Sequence, residues 1–171
     1  MRLYYDGAIY GMYSKRPGGI SNFFDRLISQ VSVHHPCLLS SSRPSHLPHP
    51  SGPNLKIIRT SSRLKPGRLQ SLYQSGKFAA AAALFRPSIL HPTYYTKPAG
   101  PMARLPVVYT AYDMIHEKWS SQLDPTGRYI DEKKECFELA AAIACISEST
   151  RNDLLEMYPY LESKVSVIYL L

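Results

Sequence analysis

Several stretches of this chain are predominantly apolar yet too short to be helices. Residues 106–110 ("PVVYT"), 142–147 ("AIACIS") and 164–171 ("KVSVIYLL") are of this kind. A strand with one wet face alternates apolar and polar residues. One that is apolar throughout is covered on both faces, and that is how parallel sheets are built. Segments of helical spacing lie between these strands. Ile20, Phe23, Phe24, Leu27, Ile28 and Val31 recur at one helical face, with Asp25 and Arg26 left for the wet side.

The remaining elements follow the same alternation. Strands are expected at residues 1–5, 33–39, 55–59 and 88–95, the last breaking at His91-Pro92. A loop covers 6–19, and the Pro/Ser/His-rich stretch 40–54 excludes regular structure. Helices are expected from Gly67 to Leu84, from Arg128 to Leu139 with Tyr129, Cys136 and Leu139 on one side, and from Thr150, whose spacing to Asp153 fits a capping box. The order predicts a Rossmann-like, doubly wound α/β domain over residues 1–171, its sheet mostly parallel and its helices on both faces.

Composition narrows the partners. A chain of 171 residues, 44% hydrophobic, has enough apolar surface for a core of its own. Its 20 Lys and Arg against 13 Asp and Glu leave a formal charge of +7. That surplus suits an anionic partner (nucleic acid, a phosphorylated substrate or an acidic membrane surface) and equally well serves solubility alone. Cys37, Cys136 and Cys145 show no CxxC spacing, which speaks against a zinc ribbon or disulfide framework and predicts reduced core thiols. No continuous apolar run opens the chain as a signal peptide would, and none approaches the ~20 residues of a membrane span. The expected location is cytoplasmic.

In open parallel sheets, ligands bind beyond the carboxyl ends of the strands. Four segments are expected at that rim. In "RPGGIS" (16–21), Gly18, Gly19 and Ile20 open a helix whose free N–H groups and partial positive charge suit a phosphate; a plain turn accounts for the same residues. The segment is neither GxGxxG nor a P-loop. In "HPTYY" (91–95), His91, Tyr94 and Tyr95 offer an imidazole and two phenols, either a platform for a sugar ring or a Pro-turned loop with half-buried rings. In "YDMIHE" (112–117), Asp113 and Glu117 can act as a general base or bind hydroxyls, with Tyr112 and His116 beside them; solvated loop carboxylates are the alternative. In "CISESTRND" (145–153), Ser147, Ser149 and Thr150 either bind an anion or cap a helix. No Ser-His-Asp order, HExxH or metal-ligand spacing supports a hydrolytic triad or zinc chemistry.

Taken in series, "PGGISNFFDRLI", "LHPTYY", "VVYTAYDMIHEKW" and "AAIACISESTRNDLLEMYP…KVSVIYL" resemble the N-terminal domain of family 4 glycosyltransferases, from about residue 18 to residue 170. The resemblance implies one half of a GT-B architecture, in which two Rossmann-like domains face each other across a cleft. The N-terminal domain binds the acceptor and the C-terminal domain, absent from this chain, holds the nucleotide-sugar. It implies that Gly18, Gly19 and Ile20 reach the donor diphosphate and that Tyr112, Asp113 and Glu117 stand where transfer occurs. His91, Tyr94, Tyr95, His116, Ser147 and Glu148 would meet the acceptor. The reaction retains anomeric configuration by a same-face displacement, and the leaving phosphate oxygen takes the acceptor's proton. No metal and no cofactor is expected, the nucleotide-sugar being a co-substrate.

Two positions depart from many relatives. Tyr112 stands where they carry His, and a phenol of pKa about 10 is a poor proton shuttle near neutrality, which leaves it a positioning role. Asn22 stands where they carry Arg, so one fixed charge near the phosphate is missing. The Glu-rich donor motif is also absent, and the chain alone is expected to be inactive. The resemblance implies transfer to a glycan or lipid-linked acceptor in polysaccharide or lipopolysaccharide assembly, and the +7 charge fits peripheral attachment to the inner face of an anionic membrane. The alternative from another class is a non-catalytic, basic Rossmann-like module binding nucleic acid or acidic glycan. Against it, the basic residues are dispersed and carry no nucleic-acid motif. A dehydrogenase lacks its GxGxxG here.

Overall fold

The computed structural model describes residues 1–12, 18–43, 47–59, 76 and 79–169. They form two compact units: Met1–Tyr94 with Pro98–Leu105, and Tyr95–Lys97 with Pro106–Leu171.

The first unit contains β1 (Leu3–Tyr5), α1 (Ala8–Met12), α2 (Gly19–His34), β2 (Cys37–Ser41), β3 (Leu55–Arg59), the helical residues 79–85 (α3), β4 (Ile89–His91) and a 3-10 turn over Gly100–Arg104. Its sheet is parallel throughout, in the order β3-β2-β1-β4. All of β2 is buried, as befits a strand flanked on both sides. The edge strand β3 is only partly covered. Tyr5, Ile9, Phe24, Ile28 and Leu39 fill the core.

The second unit contains β5 (Val108–Ala111), α4 (Ile115–Lys118), α5 (Ser120–Leu123), α6 (Arg128–Leu139), β6 (Ala142–Cys145), α7 (Glu148–Met157), a 3-10 segment Pro159–Lys164 and β7 (Val165–Val167). Its three strands are parallel, ordered β5-β6-β7, around Tyr109, Met114, Phe137, Ile143 and Leu154. All three cysteines are free and buried, as expected.

Several boundaries differ from the sequence expectation, each for a local reason. The loop at 6–19 contains α1, which starts because the Asp6 carboxylate accepts from the Ala8 N–H at 3.1 Å. Helix α2 runs through Val33 and His34 and stops only before Pro36, so β2 starts four residues later than expected, at Cys37, and takes in Ser40 and Ser41. A buried serine is tolerated there because the Ser40 and Tyr4 hydroxyls bond at 2.8 Å. Helix α7 is capped by Ser147, whose Oγ accepts from the Thr150 N–H at 3.1 Å, so Thr150 is the third helical residue and not the cap. On α6 the buried face is Lys133, Cys136 and Phe137, while Leu139 is exposed. Strand β6 is buried only at Ile143 and Cys145, and β7 ends at Val167 with Ile168 and Tyr169 exposed. Most of the helix expected over 67–84 lies outside the described residues; 79–85 are helical.

Candidate functional site

In the first unit the chain leaves β1 toward β2 on one side and returns as β4 on the other, so the topological switch falls between β1 and β4. Asp6 directly follows β1 and stitches this point. Its Oδ1 accepts from the Thr93 N–H at 2.8 Å and from the Thr93 hydroxyl at 3.0 Å, while Thr93 Oγ1 accepts from the Ile9 N–H at 3.1 Å. Neither residue was a candidate from sequence. A lone Asp after a strand reads as an ordinary turn, and only topology brings it to Thr93.

Helix α2 runs back from this carboxyl rim to the start of β2. Ser21 Oγ accepts from the Gly18 N–H and donates to the Gly18 carbonyl, both at 2.9 Å, and Asn22 N–H donates to the same carbonyl at 3.0 Å. Helix geometry then leaves the N–H groups of Gly19 and Ile20 pointing out of the first turn. Gly19 is exposed, its φ is not positive, and a Cβ there would meet no atom within 4 Å. The fold itself does not require a glycine at this position. Gly7 is the opposite case: its φ is 63°, and a Cβ would lie 1.6 Å from the Ser40 carbonyl oxygen.

His91 ends β4 and is packed in the core, with ring centroids 5.5 Å from Tyr5 and 5.3 Å from Phe24. Burial pushes its imidazole down to about 4. Tyr94, two residues past the Pro-turn, is half-buried. Arg43, just beyond β2, is buried against the Tyr10 ring at 4.2 Å and bonds Asp25 at 2.7 Å; the Tyr10 hydroxyl donates to the other Asp25 oxygen at 2.8 Å. Asp25, expected on the wet side of α2, is therefore the anion of an inward network.

In the second unit, the ends of β5 and β6 share one rim. Ile146 N–H donates to the Ala111 carbonyl at 3.3 Å, and Thr150 Oγ1 donates to the Tyr112 carbonyl at 3.2 Å. Ser147 and Tyr112 are thus brought together as the sequence suggested, with the Ser147 hydroxyl engaged as the helix cap. Tyr112 is largely buried, and its N–H donates to the Tyr95 hydroxyl at 3.4 Å. The Tyr95 ring meets Tyr112, Tyr129 and Phe137 edge-on, and burial raises its phenol well above the usual range. Asp113 is half-exposed; its Oδ1 accepts from the Ile115 N–H at 3.2 Å. His116 lies 4.3 Å from the Tyr129 ring, centroid to centroid, and its Nδ1 is buried without a partner. Glu148 is exposed in the first turn of α7.

Glu117 is engaged elsewhere. Its side chain is 4% exposed and forms an ion pair with the Lys133 ammonium, which stands 3.1 Å from both carboxylate oxygens and donates to Oε2. Lys133 was not a candidate from sequence either. The one available signal was its position three and four residues before Cys136 and Phe137, on the stripe that turns inward. Among the described residues no group of three or more His, Cys, Asp and Glu side chains could hold a metal ion, and no helix is long and apolar enough to cross a membrane.

Parallel sheets with crossover helices in both units place the protein in the Rossmann-like α/β class expected of a GT-B half. Two solved structures share the fold. Anabaena HepE, in complex with UDP and glucose, is 14% identical with a TM-score of 0.56, covering 99% of this chain and 44% of that one. The UDP-GlcNAc 2-epimerase from Methanocaldococcus jannaschii is 10% identical with a TM-score of 0.53, covering 98% and 45%. The chain spans less than half the length of either, and at these identities the likeness is one of fold. Residues 17–170 match Glycosyltransferase Family 4, and the chain belongs to that family. No curated protein is similar enough in sequence to serve as a relative.

Proposed function

We propose that this chain is the acceptor-side part of a retaining, metal-independent glycosyltransferase that moves a sugar from a nucleotide-sugar to a glycan or lipid-linked acceptor. The observation that carries the reading is the half-exposed Asp113 carboxylate at the carboxyl end of β5, in a chain of this family. A partly exposed carboxylate there, with one oxygen held by the Ile115 N–H, can accept the acceptor's hydroxyl proton in a hydrogen bond at the other and orient the acceptor oxygen. Tyr112 positions the loop, and Tyr94, Tyr95, His116, Ser147 and Glu148 belong to the acceptor side. In this reading Glu117 supports the Asp113 loop from within the second unit, because Lys133 occupies its carboxylate, and His91 is left out of acceptor contact by its enclosure in the core of the first unit.

The first turn of α2 takes the donor diphosphate. Gly18, Gly19 and Ile20 contribute backbone N–H groups and the positive end of the helix, and the missing side chain of Gly19 leaves room for phosphate oxygens. During transfer the acceptor oxygen bonds the anomeric carbon on the face from which phosphate leaves. The broken C–O pair stays with the diphosphate, and that phosphate oxygen receives the acceptor's proton. HepE, crystallised with UDP and glucose, makes UDP-glucose the first donor to try. The net charge of +7 supports attachment to an anionic leaflet on the cytoplasmic side, where lipid-linked acceptors reside.

The test incubates the full product of the gene with labelled nucleotide-sugars, UDP-glucose first, and lipid-extracted acceptors in the presence of EDTA. The expected result is a labelled product with the donor's anomeric configuration, lost in Asp113→Ala. A protein that neither binds nor hydrolyses any nucleotide-sugar overturns the reading, and salt-sensitive retention on duplex DNA would put a basic binding module in its place.

A further inference from the structure

Lys133 sits mid-way along α6 with its side chain 1% exposed. Burying an ammonium is expensive, and burial lowers its pKa against the opposing pull of Glu117 and Asp113. Stability does not call for it. Its neighbours on the buried face, Cys136 and Phe137, are apolar, and replacing a buried ion pair by apolar residues is often neutral or stabilising. A methionine could not, however, bond a main-chain carbonyl. Lys133 Nζ donates to the carbonyl of Asp113 at 2.6 Å, the shortest bond it makes, and stands 5.2 Å from the centroid of the Tyr95 ring. The same loop is held on its other side by Thr150 at the Tyr112 carbonyl.

We propose that Lys133 is the positioning residue of the Asp113 loop: its ammonium, neutralised by Glu117, clamps the Asp113 carbonyl and so sets the direction in which the Asp113 carboxylate points. The proposal rests on the functional reading above only for what that carboxylate then does. Glu117 becomes the counter-ion that lets the clamp exist in a dry place.

The experiment is NMR on the isotope-labelled chain as native protein, as Lys133→Met/Glu117→Leu and as Lys133→Arg. The double variant removes both charges together, so none is left buried alone, and its thermal midpoint is measured first to establish that it folds. The readout is the pair of three-bond couplings from Asp113 Cγ to its own amide nitrogen and carbonyl carbon, which report whether χ1 holds one rotamer. One rotamer is expected in the native chain. In the double variant the ratio of major to minor rotamer should fall ~10-fold or more, as the loss of a bond to a charged donor implies. Lys133→Arg, which still carries a cationic donor, should restore much of it. A single rotamer persisting in a folded double variant overturns the proposal. Should that variant not fold, Lys133→Gln/Glu117→Gln, which leaves no charge buried and whose shorter amide cannot reach both partners, takes its place: rotamer averaging at Asp113 supports the clamp, and a single rotamer overturns it. The transfer assay is separate: native turnover in Asp113→Ala would sink the functional reading and leave the coupling result standing. If Asp113→Ala is inactive, the double variant is expected to lose kcat ~10-fold at unchanged donor KM.

Discussion

Acidification should destabilise the protein through one residue more than any other, His91. The residue is 8% exposed, its imidazole is packed against Tyr5 and Phe24, and burial holds it at about 4 where an unfolded chain would titrate at 6.5. Between those values the unfolded state binds a proton that the folded state refuses. The stability that comes from keeping His91 neutral is therefore complete above pH 6.5 and is lost as pH falls toward 4. That interval, at about 1.4 kcal/mol per pH unit, amounts to about 3 kcal/mol. A domain stable by ~5–15 kcal/mol would feel this strongly. The assay is urea unfolding from pH 7.5 to 4.0 for the native chain and for His91→Gln, which keeps a polar side chain but does not titrate. His49 is also held low by burial, so the diagnostic quantity is the difference between the two proteins. That difference should shrink by about 3 kcal/mol across the range. A constant difference, or a His91 ring that titrates near 6.5 by NMR, would refute the reasoning.

Other expectations follow from geometry. Gly7→Ala should cost at least ~2 kcal/mol in urea unfolding, because it forces a side chain into positive φ and onto the Ser40 carbonyl; Gly19→Ala should stay within ~1 kcal/mol of native yet weaken nucleotide-sugar binding by titration calorimetry. Ser147→Ala should lose ~1 kcal/mol by removing the cap of α7, read as a lower thermal midpoint. Asp25→Ala should cost ~3–5 kcal/mol, since it leaves the Arg43 guanidinium buried without its carboxylate; Asp25→Ala/Arg43→Met should recover part of that loss.

Some of this architecture could be read without coordinates. The stripe from Ile20 to Val31 announced α2, residues 55–59 became β3 without change, and residues 128–139 became α6. In α2 and β3 local spacing and burial agree; in α6 the span was right but the inward face was not. Where the structure departs from that expectation, chain breakers and caps decided some cases and tertiary contacts the others. Val33 reads as a strand residue, but α2 continues through it until Pro36 intervenes. Ser147 in sequence was an anion ligand or a cap, and the cap accounts for its hydroxyl. Asp113 and Glu117 looked like a pair of loop carboxylates with His116 beside them, whereas the Glu117 side chain bonds Lys133 and the His116 ring packs on Tyr129.

The alternation of strands with the longer helices, the parallel α/β class and the family were in the sequence alone, because periodicity and short motifs depend on neighbours a few positions apart; the short helices α1, α4 and α5 were not. Which charges turn inward was not. Asp25, Lys133 and Glu117 look like any solvated residue in a linear string. Only the folded chain brings Arg43, 18 positions from Asp25, and Lys133, 16 positions from Glu117, to bonding distance. A buried charge is stable only beside a partner, and the partner's place is a property of three dimensions.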